Sequence, residues 1–219
     1  MRRVVVLRPE PGASETLKRA RELGLDAVSV PLFEVEAVPW QMPHGAFDGV
    51  LLTSANAIRQ AGEGLQTLRA LPAYTVGEAT AGAAREAGFD VAATGDDGVE
   101  RLLRSINQEL RLVHLCSEDR KEVPQARQEI TPVTVYRSKA VQSPDLAHVS
   151  GGVMLVHSPR AGSRLGELVQ EKGDVAIIAI SKAAADAAGT GWERVAVAEK
   201  PTDEAVLALA ADLCNKPQP

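Results

Sequence analysis

Short apolar runs recur along the chain, each closed by a polar or small residue and followed by a helical pattern. Arg3-Val4-Val5-Val6-Leu7-Arg8 predicts a buried strand, broken by Pro9, Pro11 and Gly12. Ser14 then caps a helix to Leu23, with Glu15 favourable in its first turn and Gly24 ending it. Ala27 to Val30 forms the next strand and Pro31 closes it. Such a β-α-β unit has parallel strands and a right-handed crossover. From Leu32 to Val38 the alternation is loose, and Pro39, Trp40, Met42, Pro43 and Gly45 show no period, so an extended linker is expected.

Gly49-Val50-Leu51-Leu52 is a strand that ends in the hydroxyl pair Thr53-Ser54 and turns at once into a helix from Ala55 to Leu68. Gly62 and Gly64 weaken that helix in its middle. Strand Ala73–Val76, a turn at Gly77, helix Ala79–Ala87 stopped by Gly88, and strand Val91–Ala93 follow. Gly95 to Gly98 turns into the amphipathic segment Val99–Ile106, and Arg111–Cys116 is a strand. Lys121–Ile130 predicts a helix with Pro124 in its first turn. Val133–Tyr136 is a strand whose extension to Ala140 forms a second linker strand. Strand Val153–His157, helix Pro159–Lys172, strand Val175–Ile180 and helix Ala183–Ala188 come next. Strand Val195–Ala198 and helix Asp203–Leu213 complete the pattern, with Asn215–Pro219 as a frayed tail.

The chain uses one device twice. Ser54 and Ser158 each follow an apolar strand and open a helix, and they lie 104 residues apart. Gly77 and Ser181 keep the same spacing. Two segments in one register argue for two similar halves. The first two strands are too few for a sheet alone, and the three after Gly151 complete it. The expected fold is therefore α/β: two parallel-sheet, flavodoxin-like domains joined by a two-stranded antiparallel linker, one domain discontinuous. Residues 1–34 with 141–219 form the discontinuous domain, 39–132 the inserted one, and 35–38 with 133–140 the linker strands.

Composition narrows the function. Only 3% of the 219 residues are aromatic, so Val, Leu, Ile and Ala must build the core, as suits strands covered on both faces. A net charge of −5 argues against nucleic-acid or polybasic membrane binding. No apolar run spans a bilayer and no signal peptide is expected, so the chain reads as cytoplasmic. Cys116 and Cys214 lack metal-like spacing and read as reduced thiols. His44, His114, His148 and His157 are scattered, so no metal site is expected, and His114 reads as a core or edge histidine with its bonds satisfied.

In open α/β sheets ligands gather beyond the carboxyl ends of the strands. Ser54 and Ser158 lie there, and each is also a natural helix cap, with Pro159 at the favoured first position. Thr53 and His157 add a polar group at each strand end. Arg160 stands in a first helical turn, where the dipole disfavours a cation unless an anion is shared with the helix amides. Gly77 and Thr80 form a further turn able to approach a ligand closely. No dinucleotide fingerprint, phosphate loop or nucleophile elbow occurs. Tyr136, at the domain junction, offers a phenol as proton donor or as packing.

In order and spacing the pattern resembles the uroporphyrinogen-III synthase family. The residues that carry the resemblance are Val6-Leu7-Arg8-Pro9, Leu52-Thr53-Ser54-Ala55-Asn56-Ala57 and Val76-Gly77-Glu78-Ala79-Thr80-Ala81, then Val133-Thr134-Val135-Tyr136, Val156-His157-Ser158-Pro159-Arg160-Ala161 and Ala198-Glu199-Lys200-Pro201-Thr202. The resemblance implies a cofactor-independent lyase of haem biosynthesis with its active cleft between two domains; nothing in the sequence demands a dimer, so a monomer is expected. The resemblance also implies the reaction, closure of hydroxymethylbilane to uroporphyrinogen III with inversion of the terminal pyrrole ring and loss of water. It further implies substrate contacts at Thr53, Ser54, Ala55, Gly77, Thr80, Ser158, Pro159 and Arg160, with Tyr136 assisting the leaving hydroxyl, and Arg8, Asn56 and Ser181 are added as candidate contacts beside them. Ser181 and Ala184 stand where the family commonly has Gly and Thr, and Ser117–Thr131 lacks the usual glycine, with Arg120 in place of the family arginine. A non-catalytic two-domain binder of a tetrapyrrole or other polyanion is the competing reading.

Overall fold

The computed structural model describes residues 2–120, 122–123 and 126–215. Its elements alternate along the chain as β1 (Val4–Val6), α1 (Gly12–Glu22), β2 (Ala27–Ser29), β3 (Phe33–Ala37), β4 (Gly49–Leu52), α2 (Ala55–Gln60), β5 (Ala73–Val76), α3 (Glu78–Glu86), β6 (Val91–Gly95) and α4 (Val99–Ser105). There follow β7 (Arg111–Ser117), β8 (Glu129–Ala140), β9 (Val153–Val156), α5 (Pro159–Leu168), β10 (Ala176–Ala179), α6 (Lys182–Ala187), β11 (Arg194–Val197) and α7 (Asp203–Asn215). The chain packs as two compact units, Met1–Glu34 with Lys139–Pro219, and Val35–Ser138.

In the first unit a five-stranded sheet has the order β11-β10-β9-β1-β2, and every pair is parallel. Counted within the unit this is the flavodoxin order, which reverses direction between β1 and β9. Alternate strand residues serve opposite faces. Val4, Val6, Val153, Leu155, Ala176 and Ile178 pack with Ala13 and Ala20 of α1 and Val206, Leu207 and Ala210 of α7. Val5, Leu7, Met154, Val156, Ile177 and Ala179 pack with Leu165 of α5 and Ala184 of α6. Helices on both faces explain why these strands are continuous apolar runs rather than alternating ones. The α5–α6 contact is close because Gly162 and Gly166 face α6. A Cβ on Gly162 would lie 2.4 Å from the Ala184 carbonyl oxygen, and one on Gly166 2.7 Å from that of Ala188.

The second sheet has the order β3-β8-β7-β4-β5-β6. From β8 to β6 it is parallel. Its direction reverses between β4 and β7. β3 runs antiparallel to β8: the Val38 N–H donates to the Val135 carbonyl and the Val141 N–H to that of Leu32. One face of this sheet carries Val50, Leu52, Val113, Leu115, Val133 and Val135, and the other Leu51, Tyr74 and Leu112.

Three expectations need correction. Ser14 does not cap α1, which begins at Gly12 with Pro11 at its cap position. The Glu10 carboxylate reaches forward instead and accepts from the Ser14 N–H at 3.1 Å and its hydroxyl at 2.9 Å. The helix from Ala55 stops at Gln60 and continues as a 3-10 turn over Gly62–Leu68. Gly62 is left-handed (φ 63°), and Gly64 lies under the Trp40 ring, 2.6 Å from where its Cβ would stand. The helix expected over Lys121–Ile130 does not form at its described residues, Glu122, Val123 and Ala126–Gln128, and Glu129 and Ile130 already belong to β8. Lys121 and Pro124 lie outside the described residues, as does the expected frayed tail beyond Asn215.

Candidate functional site

In doubly wound sheets the crevice for a ligand opens where the crossovers diverge. In the first unit Arg8 follows β1 there, and His157 and Ser158 follow β9. Arg8 and His157 converge on a carboxylate that the sequence pattern marks only as the start of a helix, Asp203 of α7. Asp203 is 8% exposed. It accepts from His157 Nε2 at 3.0 Å, Thr16 Oγ1 at 2.8 Å and Arg19 at 3.0 Å, with the Arg8 guanidinium 3.7 Å away. Burial alone would raise this carboxyl, but the bonds from His157, Thr16 and Arg19 outweigh it and hold Asp203 at about 2. An ionised carboxylate can only accept, so His157 Nε2 carries a proton, and its buried Nδ1 has no partner among the described residues. Arg8 lies across the start of α1, and a Cβ on Gly12 would stand 2.4 Å from its Nε. That glycine is what admits the guanidinium.

Ser158 caps α5 by accepting from the Ala161 N–H at 3.1 Å, and Pro159 is the first helical residue. The Arg160 guanidinium stacks on Phe33, 4.5 Å from its ring centre. On the neighbouring strand Ser181 caps α6, accepting from the Ala184 N–H at 3.3 Å. Ala184 is fully buried, and its carbonyl faces Gly162.

In the second unit the corresponding crevice lies between β4 and β7. Ser54 caps α2, accepting from the Asn56 N–H at 3.2 Å, with Ala55 the first helical residue. Thr53 Oγ1 lies 3.0 Å from His114 Nε2 on β7. His114 is only 2% exposed. Burial, together with the charge of Arg120, pushes its imidazole down to about 4. It is indeed a core histidine, but not a fully bonded one, because Nδ1 is buried without a partner among the described residues.

One strand further on, Gly77 adopts φ 79°, a backbone that side chains resist, at the start of α3. Its N–H is already given to the Gly95 carbonyl at 2.8 Å, so the amides left at this turn are those of Glu78 and Ala79. Thr80, the next candidate, is 5% exposed. Tyr136 sits in β8 opposite Ser117 of β7, half-buried. Its carbonyl accepts from the Glu118 N–H at 2.9 Å. Among the described residues its phenol has no hydrogen-bond partner, and no group of acidic, histidine or cysteine side chains is arranged to hold a metal.

These features define a class: a protein of two doubly wound α/β units whose strand-end turns carry hydroxyls in both units and arginines in the first. The family model described as uroporphyrinogen-III synthase HemD matches residues 14–208. Among solved structures, the uroporphyrinogen-III synthetase of Helicobacter pylori is similar at TM-score 0.70 and 19% identity, over 97% of this chain and 100% of that one. A mutant uroporphyrinogen III synthase of Thermus thermophilus is similar at TM-score 0.53 and 18% identity, over 99% and 100%. At these identities the solved structures speak for the fold, and the family match speaks for the lineage. No curated protein matches. The chain belongs to the uroporphyrinogen-III synthase family. Its reaction is that of a cyclising lyase of tetrapyrrole biosynthesis, closing hydroxymethylbilane to uroporphyrinogen III with the last ring inverted and water lost.

Proposed function

We propose that the strand-end turns of the two units recognise the acetate and propionate groups of hydroxymethylbilane, and that Tyr136 protonates the departing hydroxyl. The carrying observation is the clustering of polar groups at the point where each sheet reverses its order: Arg8 and His157-Ser158 in one unit, Thr53-Ser54 in the other. Backbone amides with serine and threonine hydroxyls suit carboxylates, which lets a chain of net charge −5 take a polyanion. Contacts are assigned to Thr53, Ser54, Ala55, Asn56, Gly77 and Thr80 in the second unit, and to Arg8, Ser158, Pro159, Arg160 and Ser181 in the first. The first unit contributes positive charge and the second mainly hydroxyls.

The chemistry asks little more than this. Hydroxymethylbilane reacts through its own pyrrole electronics, so the protein's task is to hold a linear molecule with one end against a substituted ring carbon. Loss of the hydroxyl as water needs one proton, and a phenol is a competent donor to a departing oxygen. Departure leaves the azafulvene in its protonated, cationic form, which closes through a spiro intermediate to the inverted ring, and the proton released on rearomatisation restores the phenol. We place the reaction in the cytoplasm, carried out by a monomer without nucleic acid.

Tyr136→Phe tests the assignment. Turnover is expected to fall by roughly 10²–10⁴, the usual range for a general acid, with product binding retained. Unchanged turnover would make Tyr136 a packing residue.

A further inference from the structure

We infer that His114 is a positioning residue that sets the direction of the Thr53 hydroxyl, making it a hydrogen-bond donor toward a substrate carboxylate. The inference rests on the reading of Thr53 as a substrate contact. The geometry begins with a single bond: Thr53 Oγ1 and His114 Nε2 lie 3.0 Å apart. Either atom can be the donor, and the choice decides what Thr53 offers a ligand. If the hydroxyl donates to a bare Nε2, its proton is consumed inside the protein. If Nε2–H donates to the hydroxyl oxygen, the proton of Thr53 remains for another acceptor.

The second ring nitrogen settles which arrangement holds. His114 is 2% exposed, and its Nδ1 is buried with no hydrogen-bond partner among the described residues. A neutral imidazole carries one proton. Placed on Nδ1, that proton becomes a buried N–H without an acceptor, an arrangement proteins avoid more strictly than an underused acceptor. Placed on Nε2, it is satisfied by Thr53, and Nδ1 keeps only an idle lone pair. The charge of Arg120 further disfavours a second proton. The imidazole therefore donates and Thr53 accepts. Thr53 is half-buried at the end of β4, and its own O–H has no other partner among the described residues, so it can donate to a carboxylate oxygen. The same buried histidine serves both the core and a polar turn, which accounts for a polar residue on the strand β7 between Val113 and Leu115, both fully buried.

The tautomer of His114 in the intact protein is read directly from long-range ¹⁵N–¹H correlation spectra, assigned by the loss of its signals in His114→Leu. A neutral ring protonated on Nε2 at pH 7 is expected, and a ring protonated on Nδ1, or on both nitrogens, would overturn the inference. The energetic arm measures affinity for uroporphyrin III, the oxidised product, in a double-mutant cycle. Thr53→Val should weaken binding about tenfold or more, the loss expected for one hydrogen bond to a charged group. His114→Leu should weaken it comparably, and should add nothing in the Thr53→Val background. His114→Gln, whose amide can still donate to Thr53, should restore most of the affinity. If Thr53→Val binds as well as the parent, the reading of Thr53 itself fails. If Thr53→Val weakens binding while His114→Leu leaves it intact, or lowers it equally in both backgrounds, that reading stands and the positioning role falls.

Discussion

Asp203 shows what one buried carboxylate can organise. It stands at the start of α7, where the helix dipole favours an anion, and ties together residues from α1 and from the end of β9. Its folded value of about 2 lies below the 3.8 of an ordinary aspartate. A carboxyl with a depressed value contributes stability that is present above the unfolded value and lost as pH falls through the folded one. The corresponding contribution is about 2 kcal/mol at neutral pH. Asp203→Asn should therefore lower unfolding stability by about that amount at pH 7 in urea titrations, with the difference disappearing between pH 4 and pH 2. His114 has the opposite charge chemistry and the same direction of effect. A histidine held neutral down to about 4 charges only on unfolding across the interval from its ordinary 6.5. Stability should fall by about 3 kcal/mol as pH drops through that window, and His114→Leu should flatten the slope in the same titrations.

Among the elements, most were legible because strand and helix signals sit close together in the chain. The serine caps of α2 and α5 needed only local pattern, whereas Gly62 and Gly64 pointed to a weak place in the helix from Ala55 but not to its end at Gln60. Failures came where distant partners decide. Residues 126–128 carry helix-forming side chains, yet β8 begins at Glu129 because it adds parallel to β7. Ser14 was displaced as a cap by Glu10, a residue the capping pattern does not consult. The α5–α6 contact was equally invisible, since Gly162 is ordinary in sequence and close only in space. Gly162→Ala should cost about 1–3 kcal/mol, because the atom it meets is the backbone carbonyl of Ala184, which cannot swing aside. Ser158→Ala should cost about 1 kcal/mol through loss of the cap. Both are read from denaturant midpoints at constant slope.

At the scale of the whole molecule, the α/β class and the doubled strand–serine–helix device were legible because both are written in short repeated patterns. The order of the strands was not. It follows from where crossovers return to each sheet, and it is this order that sets Arg8 beside His157, and Thr53 beside His114. Asp203 escaped notice for the same reason: its partners Thr16 and His157 are 187 and 46 residues away. The family resemblance lay in the order of several degenerate motifs, none decisive alone, and the match over residues 14–208 gives that order its weight. The central claim is that this chain inverts the last ring of its substrate. Hydroxymethylbilane supplied to the purified protein, followed by oxidation and separation of the isomers, tests it most directly. Uroporphyrin III is expected as the main product, whereas isomer I alone, the result of spontaneous closure, would contradict the claim.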